Sequence, residues 1–182
     1  LEAITEFCCK ELGRNFSKDY LKLSPQGKRQ ELLWHLDRPM RICGMVRNEG
    51  EPGGAPFWVR EEDGSKTLQI VESAHVNQRH PSQKNIWSKA SYFNPVDMVC
   101  CTKNYRGKKF NLMDYVNRNA YLIIAKTEKG RRLKAQELPG LWNGGMAYWN
   151  TVFVELPLIV FNPVKTVYDL LRPQHRGVTR FK

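Results

Sequence analysis

Apolar residues recur every three or four positions near the start of the chain. This spacing is typical of one face of an amphipathic helix and predicts a helix over residues 1–13. Ser24 followed by Pro25 predicts the start of a second helix, because serine caps helices and proline is favoured at the first helical position. We therefore expect a helical segment over residues 1–37. The apolar positions are Leu1, Ile4, Phe7, Cys8 and Leu12 in the first helix, and Leu32, Leu33 and Leu36 in the second.

Shorter apolar runs, rich in residues that favour strands, follow Arg38-Pro39. Asp63-Gly64 and Lys129-Gly130 each separate two such runs, and both pairs are typical of hairpin turns. The alternation therefore predicts a body made largely of strands. The predicted strands cover residues 40–46, 56–62, 67–76, 96–102, 121–126, 132–136 and 151–161.

Two short helices complete the predicted body. One is expected over residues 81–90, where a proline begins it, and the other over residues 164–171. Helices flanking a set of strands predict a mixed α/β fold with a mixed sheet. We place this body at residues 38–176 and a basic tail at 177–182.

The composition fits one globular domain and excludes an integral membrane protein. The chain has 182 residues, of which 41% are hydrophobic and 26% charged, which is enough for one domain with a core. No apolar run approaches the ~18 residues that cross a bilayer. Five cysteines without Cys-x-x-Cys spacing favour small buried thiols in a reducing, cytoplasmic setting. Because the chain begins with Leu1, we expect it to be part of a longer polypeptide.

A formal net charge of +11 first suggests a nucleic-acid partner. The surplus is spread along the chain, however, rising from +2 in residues 1–50 to +3 in 51–110 and +6 in 111–182. A nucleic-acid partner is therefore not favoured. The surface should instead suit small anionic ligands, phosphates included.

Two pairs of adjacent glycines, Gly53-Gly54 and Gly144-Gly145, are candidate ligand-binding positions. Glycine lets a ligand approach the backbone closely, and Asn143 and several aromatic residues flank the second pair. Either pair could equally serve a tight connection or ordinary packing, so both interpretations stay open.

Glu72 and Asn94 are candidate polar contacts beside predicted strands. Alternation places Glu72 on the same face as Leu68 and Ile70, where an unpaired carboxylate is costly. It could accept hydrogen bonds from ligand hydroxyls, or it could turn to solvent at the strand end. Asn94 precedes Pro95, which is ordinarily turn chemistry.

Lys165 stands in Asn162-Pro163-Val164-Lys165, where a predicted strand leads into a predicted helix. A helix N-terminus attracts anions, so a lysine in its first turn is misplaced unless an anion joins it. The alternative is a solvent-exposed lysine without a ligand.

Taken in order, these segments resemble the C-terminal part of the UDP-sugar pyrophosphorylase group of nucleotidyltransferases. Gly53-Gly54 is similar to a glycine pair of that group, and Leu68 to Ala74 resembles its sugar-contacting strand. The resemblance implies that Glu72 and Asn94 hold the sugar and that Lys165 contacts nucleotide phosphates. We also expect substrate contacts at Asn143, Gly144 and Gly145.

Most of the chain from Arg38 to His175 also resembles an uncharacterised bacterial domain family. The resemblance rests on strings such as Cys43-Gly44-Met45-Val46 and Asn162-Pro163-Val164-Lys165. The Gly-rich nucleotide-binding loop of pyrophosphorylases has no counterpart here. Either the nucleotide-binding half lies upstream of Leu1, or the activity has been lost.

The implied reaction joins a nucleoside triphosphate and a sugar 1-phosphate into a nucleotide sugar and releases pyrophosphate. We expect an enzyme whose present chain is inactive alone, with the upstream part of the same protein as its partner. Mg²⁺ is implied by the resemblance, with Asp97 as a candidate ligand. The alternative is a non-catalytic module that binds a phosphosugar or a nucleotide sugar.

Overall fold

Three helices lie at the start of the chain, where the apolar spacing predicts two. The computed structural model describes residues 1–51, 53–138 and 144–177. Ser24 Oγ accepts a hydrogen bond of 3.2 Å from Gly27 N, so the predicted start of the later helix is confirmed. The spacing does not predict the short middle helix, which Ser17 caps. The helices are α1 (Glu2–Lys10), α2 (Lys18–Lys22) and α3 (Pro25–Leu36).

The largest sheet has four strands with β1 (Met40–Arg47) at its centre. On one side β1 pairs antiparallel with β5 (Met98–Cys101), and on the other it pairs parallel with β8 (Asn150–Glu155). The two-residue strand β4 (Tyr92–Phe93) pairs antiparallel with the end of β1. The sheet is therefore mixed, as predicted.

Two hairpins form separate antiparallel sheets, and both turns are at the predicted positions. The tighter turn has positive φ at both central residues, 49° at Lys129 and 77° at Gly130, which matches the twist of the flanking strands. The hairpins are β2 (Ala55–Arg60) with β3 (Lys66–Val71), and β6 (Leu122–Glu128) with β7 (Arg131–Glu137). The helix predicted over residues 81–90 is α4 (Pro81–Ser88), which lies between β3 and β4.

Three predicted elements differ in their boundaries from the apolar runs: two strands end earlier, and one helix begins later. The strand predicted over 67–76 ends at Val71, and a 3-10 helix follows over Ser73–His75. The strand predicted over 151–161 ends at Glu155, ahead of Pro157. The helix predicted over 164–171 is a 3-10 helix over Val167–Leu171. In the first and third cases a capping box sets the boundary.

Two buried clusters join these elements. The first connects the three helices to the start of β1, and the second lies between β1 and the β2–β3 hairpin. All five cysteines are free, but only Cys8 and Cys43 are buried, so the expectation of small buried thiols is wrong for the other three. Among the helices of the described ranges, none is long and apolar enough to cross a bilayer. The clusters comprise Cys8, Leu12, Tyr20 and Leu32, and Cys43, Met45 and Ile70.

Arg41 on β1 is a charged residue in this interior, with 2% of its surface exposed. Its Nε donates to Thr151 Oγ1 on β8 at 2.9 Å, and its Nη2 donates to Gln69 Oε1 on β3 at 3.1 Å. Gln69 in turn donates to the carbonyl oxygen of Ala147 at 2.9 Å. One buried arginine therefore links the central sheet to the hairpin and to the segment before β8.

Candidate functional site

The candidate site lies where the loops after β1 and β8 meet. These strands are parallel, so their carboxyl ends lie at the same edge of the sheet, which is where ligands bind in open α/β sheets. The loop after β1 contains Gly53-Gly54, and the segment after β8 contains Lys165. Residues of both segments line a cavity of about 330 Å³, among them Glu49, Glu51 and Asn162, but Gly53, Gly54 and Lys165 do not line it.

Gly53, Gly54, Glu72 and Asn94 come together at this end of the sheet. Asn94 N donates to the carbonyl oxygen of Gly54 at 2.8 Å, and the two residues form an isolated antiparallel bridge. A Cβ on Gly54 would lie 3.7 Å from Cγ of Glu72 and would overlap Cγ2 of the buried Ile70. Packing against Ile70 alone therefore requires glycine at this position.

The side-chain amide of Asn94 is committed to the backbone. Only 2% of the residue is exposed. Its Nδ2 donates to the carbonyl oxygen of Gly44 at 2.7 Å, and its Oδ1 accepts from Val96 N at 2.9 Å. Asn94 thus holds the loop against β1 and fixes the position of Gly54.

Val96, in the same loop, has a strained backbone. Its φ is 72°, a region that β-branched residues rarely adopt. Such a conformation costs about 1–3 kcal/mol and persists only where its surroundings enforce it. The hydrogen bond from its N–H to Asn94 Oδ1 is one such constraint.

We expect Val96→Gly to stabilise the protein by about 1 kcal/mol. Relief of strain exceeds the ~0.5–1 kcal/mol that glycine's greater freedom costs in the unfolded chain. Urea unfolding at pH 7 measures the change. The matched control is Val99→Gly in β5, an exposed valine whose φ is not in the positive region, which should destabilise by about 1 kcal/mol. Equal losses in both variants would show that Val96 is not strained.

Alternation predicts that Glu72 lies on the apolar face of a strand, but in the structure it does not. It follows β3 and is the N-cap of the 3-10 helix, where its side chain accepts from His75 N and its own N–H donates to His75 Nδ1 at 2.9 Å. This reciprocal capping turns the side chain out of the strand and orients it. A carboxylate has about four acceptor positions, so the cap leaves acceptor capacity for a ligand.

Lys165 lies just before the 3-10 helix, and an anion does join it there, supplied by the chain itself. Asp169 Oδ2 accepts from Lys165 N at 2.9 Å and from Thr166 N at 2.7 Å. These backbone hydrogen bonds, that from Thr166 first, hold the pKa of the Asp169 carboxyl below its ordinary value. Arg172 pairs with the same carboxylate at 2.6 Å. The backbone N–H groups are therefore taken, and only the lysine ammonium is left to meet a ligand.

The side chain of Lys165 is exposed, and no salt bridge within the described residues includes it. Asp169 fixes the backbone beneath it. The sequence held a signal for this arrangement, since Thr166-x-x-Asp169 has the spacing of a capping box. The capping box places the start of this 3-10 helix at Val167, three residues later than the predicted range of 164–171.

The second glycine pair is located elsewhere. Gly144 lines a cavity of about 280 Å³ together with Gln69, His75 and Asn117. The carbonyl oxygen of Gly144 accepts from Asn117 N at 3.0 Å. Neither Gly53 nor Gly54 lines this cavity, so the structure does not bring the two glycine pairs into one pocket. Asn143 lies outside the described residues.

Asp97, the candidate Mg²⁺ ligand, is exposed beside the Asn94 loop. Its carbonyl oxygen accepts from Gly44 N at 2.8 Å. Among the described residues, no three His, Cys, Asp or Glu side chains group closely enough to hold a metal ion. We therefore assign no step to Mg²⁺.

The fold and these loops define a mixed α/β domain whose candidate site lies at the carboxyl ends of a parallel strand pair. The chain belongs to the DUF4301 family, a domain of unknown function, whose model matches residues 1–176. The expectation of an uncharacterised domain family is thus confirmed. No curated protein matches the chain.

Among solved structures, the chain is distantly similar to mutant forms of UDP-glucose pyrophosphorylase from Leishmania major in complex with UDP-glucose. Two of them have a TM-score of 0.46, at 16% and 17% sequence identity. A third has a TM-score of 0.44 at 16% identity. Each alignment covers 82% of this chain and 33% of the pyrophosphorylase, so the chain spans about a third of the length of these proteins.

Proposed function

We propose that this chain is the sugar-binding part of a sugar-phosphate nucleotidyltransferase-like protein. The observation that carries the proposal is the convergence of Gly53-Gly54, Glu72 and Asn94. These residues come from three separate segments, and the sequence resemblance relates each segment to sugar binding. The nucleotide-binding part would be supplied by polypeptide upstream of Leu1.

In the proposed reaction, a phosphate oxygen of the sugar 1-phosphate attacks the α-phosphorus of a nucleoside triphosphate. The bond from the α-phosphorus to the bridging oxygen breaks, and pyrophosphate leaves with that oxygen. The main task of a protein in such a displacement is to position the reactants and to stabilise charge. Lys165 is the residue we assign to the charge on the phosphates.

Glu72 would accept hydrogen bonds from sugar hydroxyls, and Gly53-Gly54 would lie against the sugar. Asn94 contributes as a positioning residue, because its amide holds the Gly54 segment rather than pointing to a ligand. Glu72 is pre-oriented by its cap with His75, so little side-chain entropy is lost when a ligand binds.

We test this proposal by calorimetric binding of a panel of hexose 1-phosphates and UDP-hexoses to the full chain. Glu72→Gln should weaken binding roughly tenfold or more, because a hydrogen bond to a charged acceptor contributes ~1.5–3 kcal/mol. Glutamine preserves the cap, so folding should be unchanged. The matched control is Glu128→Gln in β6, which should bind as the wild type does. Failure of every panel member to bind, or equal affinity in Glu72→Gln, would contradict the proposal.

A further inference from the structure

A second polar cavity lies at the other end of β1, where α3 meets the β2–β3 turn. Its volume is about 350 Å³, within the ~300–1,000 Å³ range of small-molecule pockets. Thr67 of β3 lines it and precedes Glu72 by five residues, so at ~3.3 Å per residue roughly 16 Å separates this cavity from Glu72. Arg14, His35, Arg38, Asn117, Asn119 and Tyr148 are among the residues that line it.

Arg38 lines this cavity, and one donor of its guanidinium is not used within the described residues. Only 4% of the residue is exposed. Its Nε donates to the carbonyl oxygen of Trp34 at 2.9 Å, and its guanidinium lies 4.9 Å from the centre of the Trp34 ring. Its Nη2 is buried and has no hydrogen-bond partner within residues 1–51, 53–138 and 144–177, and the same is true of Nδ1 of His35. A buried guanidinium N–H without an acceptor is costly, so a ligand oxygen there would be strongly favoured.

A second buried cation raises that cost. Arg14 is 9% exposed and lines the same cavity. Burial, together with the nearby charge of Arg14, lowers the pKa of the Arg38 guanidinium to about 9. Two buried like charges repel each other, and an anion between them would relieve the repulsion. The fork of an arginine matches carboxylate and phosphate oxygens.

Carboxylates also line the cavity, and they constrain the rest of the ligand. Glu31, Glu62 and Asp63 are exposed, so water and salt screen them far more than the buried arginines. The half-buried Glu61 already accepts from Thr67 Oγ1 at 2.8 Å. Glu61 and Asp63 offset part of the charge of Arg14, and Glu31 part of that of Arg38, but burial still lowers the pKa of both guanidinium groups. These carboxylates are acceptors that suit a ligand carrying hydroxyl donors.

We infer that this cavity binds a sugar-sized polyhydroxylated anion, either a sugar acid or a sugar phosphate. The anionic group lies against Arg38 and Arg14, and the hydroxyls face the carboxylates and the amides of Asn117 and Asn119. The site is separate from the proposed transfer site and does not depend on it.

Calorimetry on the full chain with glucuronate, glucose 1-phosphate, inorganic phosphate and glucose tests the inference. Glucuronate or glucose 1-phosphate should bind at least tenfold more tightly than uncharged glucose and than inorganic phosphate. Arg38→Gln should weaken the binding of the preferred sugar anion roughly tenfold to a hundredfold. The control Arg79→Gln, which removes an exposed arginine outside the cavity, should leave it unchanged.

A second variant keeps the test decisive if Arg38→Gln fails to fold. Asn119 is exposed, so Asn119→Ala should fold normally and weaken binding several-fold. Binding that Glu72→Gln leaves intact and Asn119→Ala weakens would support this site independently of the transfer site. Equal binding of glucose and the sugar anions, equal binding of inorganic phosphate, or unaltered binding in both cavity variants would overturn the inference.

Discussion

Under the proposed function, replacing Lys165 with alanine is expected to lower the rate of pyrophosphate release by about 10²–10³-fold, with folding unchanged. The magnitude is that of removing one group that stabilises transition-state charge. The lysine side chain is exposed, and the hydrogen bonds at this position come from its backbone N–H. Alanine keeps that N–H, so the 3-10 helix and its cap should remain.

Two further variants make the Lys165 experiment specific. Lys134→Ala removes an exposed lysine from β7 and should leave the rate unchanged. Lys165→Arg keeps the charge and should recover part of the rate. A Lys165→Ala protein that turns over like the wild type would exclude the assigned role. A wild-type protein that binds nucleotide sugars but releases no pyrophosphate from any tested pair would favour the non-catalytic binding module.

The largest expected loss of stability follows substitution of Arg41. We expect Arg41→Ala to reduce the free energy of unfolding by roughly 3–5 kcal/mol, measured by urea denaturation at pH 7. The substitution leaves a cavity between β1 and the hairpin and removes the donors to Thr151 and Gln69. Because folded domains are typically stable by only ~5–15 kcal/mol, this loss would unfold an appreciable fraction of the protein.

Two comparisons separate the parts of the Arg41 effect. Arg41→Met restores the apolar volume but not the hydrogen bonds, and we expect it to recover about half of the loss. Arg47 is on the same strand, but its side chain is 72% exposed and pairs with Glu155 at 3.8 Å. Arg47→Ala should change stability by less than ~0.5 kcal/mol. Similar losses at both arginines would show that the buried hydrogen bonds contribute little.

Local signals in the sequence predicted local structure well. Ser24-Pro25 marks the start of α3, and Lys129-Gly130 marks the tight hairpin turn, because the residues at these positions determine the backbone conformation directly. The parallel pairing of β1 with β8 has no such signal. It joins residues about 110 positions apart, as the hydrogen bond from Arg41 to Thr151 shows, and depends on packing that no short window contains.

The candidate site was predicted less completely than the strands. Period-two alternation assigned Glu72 to a strand face because it cannot register the cap with His75 that ends the strand. Likewise, the apolar spacing over 164–171 does not indicate that the 3-10 helix begins at Val167, where the capping box of Thr166 and Asp169 sets its start. The buried donors of Arg38 left no sequence signal, since an arginine beside Pro39 is ordinary at a boundary between elements.

The hydrogen bonds of Asp169 have a consequence for how ionic strength acts on the molecule. Because this carboxylate takes the backbone N–H groups beside Lys165, the exposed ammonium would attract phosphate through charge alone. Dissolved ions screen such an attraction, and they do so almost completely beyond a Debye length of ~8 Å at physiological salt. Arg38, by contrast, is buried and offers a directed donor. Salt would therefore weaken phosphate binding at one end of β1 and leave the other end largely unaffected.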